Sequence, residues 1–179
     1  MTASAAPASP RLVFTRVDRS DRAFLESCWD DLEMRQFLGG ALPSQKRDRI
    51  FATFLASDRC WVLRLPDGTP VGTGIVVANG GDSELGVELV ASARRLGRGR
   101  EACEAMLDWL ALRAVSDVIA VVQEGNEASN GLMTALGGLV EARYEKWGAH
   151  QIQYRLVTGP ASGRAAVPST PSPMRQDQP

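Results

Sequence analysis

The sequence is poor in several residue types that carry recognisable chemistry. It has three cysteines, two tyrosines and one histidine, and Lys46 and Lys146 are its only lysines. Cys28, Cys60 and Cys103 lie too far apart for a paired-cysteine metal site, and their odd number points to a reduced, cytoplasmic protein rather than a disulfide scaffold. His150 stands alone with no thiol or carboxylate spaced around it, so no metal is expected. No run approaches the ~20 apolar residues of a membrane span. Met1 to Pro10 is rich in Ala, Ser and Pro but lacks the basic start and apolar centre of an export signal, so no membrane association is expected.

An excess of one charge is absent too. The formal net charge is −1, whereas proteins that track phosphate backbones carry a broad basic excess, so no nucleic-acid partner is expected. What is present suffices for one core: 179 residues, 44% of them hydrophobic. The composition divides the chain into a flexible segment over 1–10, a domain over 11–157 and a disordered tail over 158–179, where Gly, Pro, Ser and polar residues cannot offset the ordering entropy.

Periodicity predicts a first strand at Leu12–Arg16 and helices at Asp21–Asp30 and Ser44–Ala56, with Ser20 and Ser44 as N-caps. Strands follow at Cys60–Leu65, Val71–Ala78 and Ser83–Val90, joined at Asp67-Gly68 and Asn79-Gly80 as hairpins. Cys103, Met106, Leu107, Leu110 and Ala114 share one face of a helix over Glu101–Ala114. A strand at Val118–Val122, a helix at Glu127–Leu136 and strands at Leu139–Tyr144 and Gln151–Leu156 complete the order β-α-α-β-β-β-α-β-α-β-β. The fold class is therefore α/β (α+β), a central, mostly antiparallel sheet of about seven strands flanked by four helices. An exposed edge strand at the C-terminal end would allow a homodimer.

The joint between the third hairpin strand and the following helix, Arg94-Arg95-Leu96-Gly97-Arg98-Gly99-Arg100, is the most informative stretch. The first N–H groups of a helix lack intrahelical partners and carry the positive end of its dipole. Gly97 and Gly99 let the main chain approach an anion, and Arg94, Arg95, Arg98 and Arg100 can neutralise phosphate charge. Gly97-x-Gly99-x-x-Ala102 also satisfies a dinucleotide fingerprint. That fingerprint belongs in a parallel βαβ crossover, whereas the strand here ends a series of hairpins.

The run Arg94-x-x-Gly97-x-Gly99 resembles the (Gln/Arg)-x-x-Gly-x-(Gly/Ala) loop with which the GNAT N-acyltransferase superfamily holds the pyrophosphate of acyl-CoA. Glu84-Leu85-Gly86-Val87 before it, Glu101-Ala102 after it, and Asn126-Glu127-Ala128-Ser129 followed by Ala135-Leu136-Gly137 are similar to the subgroup that acetylates ribosomal-protein N-termini. The likeness runs from about Leu12 to Leu156.

This resemblance implies a GNAT fold and acetyl-CoA as cosubstrate, with no metal. The pantetheine arm would lie between the strands on either side of the motif helix, paired to main-chain groups of Val87 and Leu89. The N–H groups of Arg95, Leu96, Gly97, Arg98, Gly99 and Arg100 would hold the pyrophosphate, and Asn126 and Ser129 would face the cosubstrate from the other side. The acceptor would be a small-molecule or peptide amine.

Direct acyl transfer needs a donor for the developing oxyanion and a base for an amine that is mostly protonated at neutral pH. Glu84 and Glu88 lie on one face of their strand beside the expected thioester. Glu84 holds the family-like Glu-x-Gly position, although both also fit as solvated residues of a half-exposed sheet. Met133 occupies the place where many family members carry a tyrosine acid, which leaves Ser129 as the substitute. Tyr144 is expected to pack or to line the acceptor pocket, and Asp30, Asp31 and Glu33 to form a solvated helix end or to attract a cationic amine. A GNAT-fold module that binds acyl-CoA without turnover fits the same residues.

Overall fold

The computed structural model describes residues 6–146 and 148–160. Seven strands and four α-helices follow one another as β1 (Val13–Arg16), α1 (Arg22–Asp30), α2 (Ser44–Ala56), β2 (Cys60–Arg64), β3 (Pro70–Asn79), β4 (Asp82–Leu89), α3 (Arg98–Ala111), β5 (Asp117–Gln123), α4 (Glu127–Ala135), β6 (Leu139–Lys146) and β7 (Ala149–Val157). They form one sheet in the order β1-β2-β3-β4-β5-β7-β6, antiparallel at every junction except β4–β5. The predicted element order and fold class are thus observed.

Three helix starts differ from expectation. Asp18, not Ser20, caps the short 3-10 turn that leads into α1: its carboxylate accepts from the Ser20 N–H, and Asp21 reaches back to the Asp18 N–H in a capping box. At α2 the cap position is Pro43, and Ser44 is already the first helical residue, with no side-chain cap. Helix α3 starts three residues earlier than the periodicity suggested, because Arg98, Gly99 and Arg100 are polar or small and carry no apolar signal.

Helices α1 and α2 cover one face of the sheet, where Leu25, Trp29 and Phe51 pack on Val17, Cys60 and Val62. Helices α3 and α4 cover the other, where Met106, Leu107, Leu110 and Met133 meet Trp61, Leu63, Leu85, Val118, Tyr154 and Leu156. All three cysteines are buried and stand outside any disulfide. The fold reaches past residues 11–157 at both ends. Ala8 pairs with Val13, Ser9 donates to Glu101, and the Thr158 and Gly159 N–H groups donate to Ser116 O (3.0 Å) and Leu107 O (3.2 Å). Residues 1–5 and 161–179, which hold most of the expected flexible and disordered segments, lie outside the described residues.

Candidate active site

The site is built on the one parallel junction. β4 pairs continuously with β3, from Gly72 opposite Leu89 to Asn79 opposite Asp82, with no bulge, so its side chains alternate without interruption. Leu85, Val87 and Leu89 face α3, while Glu84, Gly86 and Glu88 face the side of α1 and α2. Against β5, however, β4 registers only at Glu84 opposite Ile119. Beyond that vertex the two strands diverge and leave an opening toward the C-terminal ends of both.

Main-chain direction can be assigned there. The Val90 N–H donates to Val71 O (3.0 Å), toward β3, so strand alternation turns the N–H and C=O of Leu89 and Val87 toward the opening. The Leu89 carbonyl is already engaged by Arg94 Nε (2.9 Å), whereas the outward groups of Val87 lie beyond the last β4–β5 pair.

Helix α3 begins at the mouth of this opening. Gly97 occupies the N-cap position at φ 76° and offers no side-chain cap. The first helical bond is made by the Glu101 N–H to Gly97 O (3.1 Å), so the N–H groups of Arg98, Gly99 and Arg100 precede the hydrogen-bond ladder. Arg95 is also left-handed, at φ 59°, a costly conformation for a side-chain-bearing residue. Glu101 takes Arg11 through its backbone N–H (2.7 Å) and Nε (2.6 Å), and Arg11 also donates to Leu96 O (3.1 Å). Partial burial would raise Glu101's carboxyl, but the hydrogen bonds from the Ser9 hydroxyl and from the backbone and side chain of Arg11 hold it below its ordinary range.

The arginines divide their roles. Arg94 points inward: besides Leu89 O it holds Glu33 of the α1–α2 loop (2.7 Å) and does not join the cradle. Arg100 pairs along the helix with Glu104 (2.9 Å). Arg95 is exposed, and Arg98 is half-buried, its Nε fully covered without a hydrogen-bond partner. Gly99 nestles between Leu132 of α4 and Leu89 of β4, each 3.7 Å from where its Cβ would be. The structure therefore brings the loop, the end of β4 and α4 together.

On α4, Asn126 is the N-cap and accepts from the Ser129 N–H (3.2 Å), so its side-chain oxygen serves the helix itself. No hydrogen bond engages the Ser129 hydroxyl among the described residues. Met133 is buried in the core and presents no polar group to the opening. Tyr154 donates to Asn130 (3.0 Å) and is buried on the α3 face. His150 is exposed at the β6–β7 turn.

The two candidate carboxylates share a face but not an environment. Glu84 stands at the vertex, half-buried, and accepts from Asn79 Nδ2 (2.6 Å) across the β3–β4 hairpin. Glu88 lies deeper. Burial pushes its carboxyl up from the ordinary value, and the positive charge of Arg35 from the α1–α2 loop opposes this. Cys28 of α1 is close enough to feel it: burial and then Glu88's charge raise that thiol to about 11.

The α1–α2 loop bridges the mouth. Glu33 holds Arg94 after β4, and Phe37 lies against the turn after β5, 3.8 Å from where a Cβ on Gly125 would be. Asp30 is paired with Arg47 and Asp31 accepts from the Met34 N–H (2.9 Å). Each of the three carboxylates expected as a solvated cluster thus has its own partner. Across the face from Glu84, Tyr144 donates weakly to Gln153 (3.4 Å), and burial followed by the charge of Glu84 raises its phenol.

Sequence reasoning missed Asn79, Arg35, Phe37 and Arg94's inward turn. Asn79 carried a signal only as a turn residue; the others act across loops whose path no local pattern reveals.

A sheet splayed beside an uncapped helix N-terminus, with a carboxylate at the vertex, defines an acyltransferase framework of the coenzyme A type. A family model described as an acetyltransferase (GNAT) domain matches residues 11–138, and the chain belongs to that family. Among solved structures, it is similar to a GNAT-family acetyltransferase from Bacillus anthracis (16% identity, 84% of this chain and 97% of that one, TM-score 0.75). It also resembles spermidine N-acetyltransferase from Vibrio cholerae in complex with CoA and spermine (11%, 86% and 99%, TM-score 0.72). A third is yncA from Salmonella typhimurium with its cofactor acetyl-CoA (17%, 88% and 100%, TM-score 0.65). None of the curated proteins compared matches the chain.

The local β4–α3–β5 unit is a parallel βαβ crossover after all, which corrects the ground on which the dinucleotide fingerprint was set aside. What separates it from a dinucleotide fold is that its two strands meet at a single register position and its sheet is otherwise antiparallel. Among the described residues no cluster of His, Cys, Asp and Glu is arranged to hold a metal, and no helix is long and apolar enough to cross a membrane.

Proposed function

We propose that the protein transfers an acetyl group from acetyl-CoA to a primary amine by direct attack, with both substrates bound together. The opening between β4 and β5 carries this reading. It offers the outward main-chain groups of Val87 to an extended arm and the N–H groups of Arg98, Gly99 and Arg100 to a diphosphate at its mouth. Similar structures hold CoA or acetyl-CoA, which supports the donor. The thioester supplies an activated acyl group; what the chain adds is alignment, main-chain stabilisation of the developing oxyanion and removal of the amine proton.

Glu84 is the base in this reading. It sits at the vertex on the face that α3 and α4 leave open, and Asn79 fixes its carboxylate. Glu88, whose carboxyl is raised by burial against the charge of Arg35, is not the base in this reading. In this reading the hydroxyl of Ser129 protonates the departing thiolate. The acceptor is a small amine or a protein N-terminus, entering between the α1–α2 loop and the β6–β7 hairpin.

Thermal shift with acetyl-CoA, CoA and NAD, followed by acceptor-dependent thiol release over an amine panel, tests the reading. Stabilisation by the CoA ligands but not NAD is expected, together with turnover that needs an amine. Glu84→Gln should keep the thermal shift and lose about 10²-fold to 10⁴-fold in kcat. Full CoA binding with no turnover on any amine would instead favour a non-catalytic acyl-CoA sensor, a reading supported by buried Met133 standing where many relatives carry a tyrosine.

A further inference from the structure

We infer that Arg155 is a positioning residue that sets the vertex of the β4–β5 opening. It rests on the acyl-CoA reading above for its functional meaning and on geometry for its structural one. Arg155 lies on β7 opposite Ile119 of β5 and opposite Leu139 of β6, and Ile119 is the residue that registers with Glu84. Its guanidinium reaches three other strands from that point. Nη1 donates to Asp82 of β4 (3.0 Å) and Asp117 of β5 (2.5 Å), while Nε and Nη2 donate to the two oxygens of Glu141 on β6 (2.8 and 2.9 Å).

The placement matters because Asp82 and Asp117 stand two residues before Glu84 and Ile119 respectively, on the closed side of the vertex. One planar fork thus grips both strands just before they part. β4 and β5 otherwise share one register position, so little else fixes how far apart they run. Loosening the grip moves the base and the outward groups of Val87 together. Small displacements of aligned groups are costly: about 1 Å can cost on the order of 10²-fold in rate. The grip on Glu141 is different in kind, since β6 lies on the far side of β7 and does not border the opening.

That asymmetry supplies the test. Asp82→Ala removes the link to β4 and Glu141→Ala removes the link to β6 from the same guanidinium. Acetyl-CoA affinity by calorimetry, steady-state kinetics with a competent amine and amide exchange at Leu85 and Ile119 are measured on both. Asp82→Ala is expected to speed exchange and to weaken acetyl-CoA binding, each by about tenfold, and to lower kcat. Glu141→Ala is expected to leave all three within about twofold of the wild type, whatever it does to the melting temperature. Arg155→Lys, which keeps the charge but cannot fork, should fall between them if it folds. Two alanine variants that behave alike, or an Asp82→Ala protein with wild-type exchange at the vertex, would overturn the inference. If the wild type binds no acetyl-CoA, the functional reading fails, and the exchange comparison still decides whether Arg155 holds the vertex.

Discussion

Gly97 and Gly99 look equivalent in the motif and are not. Gly97 is left-handed at φ 76°, so any side chain there is strained. Gly99 is an ordinary helical residue whose added methyl would meet Leu132 and Leu89 at 3.7 Å, normal contact. Gly97→Ala is expected to cost about 1–2 kcal/mol in chemical denaturation, and Gly99→Ala less than about 0.5 kcal/mol. If Gly99→Ala nonetheless lost acetyl-CoA affinity, the second glycine would serve the ligand's approach rather than the fold. Glu88 makes a prediction of opposite character. Burial raises its carboxyl above the ordinary 4.5, so the folded protein holds that proton more tightly than the unfolded chain does. The associated stability is complete below about pH 4 and fades as pH rises through the folded value. Glu88→Gln, neutral at every pH, should therefore melt above the wild type at neutral pH, with a margin that shrinks on acidification; thermal scans across that range check it. The shared face of Glu84 and Glu88 was legible from alternation alone. Their different depth was not, because Cys28 and Arg35 approach Glu88 from elements distant in sequence.

At the scale of elements, hydrophobic period and turn chemistry located every strand and helix, since each buries one face on a single sheet. The α1–α2 connection had no such period, and its path across the mouth depends on two contacts, Glu33 with Arg94 and Phe37 with Gly125. Glu33 is well exposed, so the ion pair should contribute under about 1 kcal/mol to stability. Its value would lie in holding the loop over the site. Glu33→Gln is expected to leave the melting temperature nearly unchanged and to raise the acceptor KM by about threefold to tenfold with kcat preserved. Steady-state kinetics would speak against a loop role if kcat fell while KM stayed.

The whole molecule is one sheet whose two halves are joined at a narrow vertex, and the sequence revealed its order of elements but not that weakness. Strand pairing between β4 and β5 is decided by side chains such as Arg155 and its three carboxylates, brought together from β4, β5, β6 and β7. The family match ends at residue 138, before β6 and β7. A chain shortened to end there keeps the whole matched region yet loses Ile152, Tyr154 and Leu156 from the core. It is expected to lack a cooperative thermal transition by circular dichroism, whereas one ending after Gly159 should keep it.

The placing of β7 between β5 and β6 also governs how the protein is made. β6 leaves the ribosome with no strand to pair with, because its neighbour in the finished sheet is the segment still to be synthesised. The half of the sheet that carries β5 and β6 therefore closes only when the last strand slides in between them. Until then the nascent chain exposes the unpaired edge of β5, and the interval before β7 emerges is the one in which this half of the sheet most needs protection from aggregation.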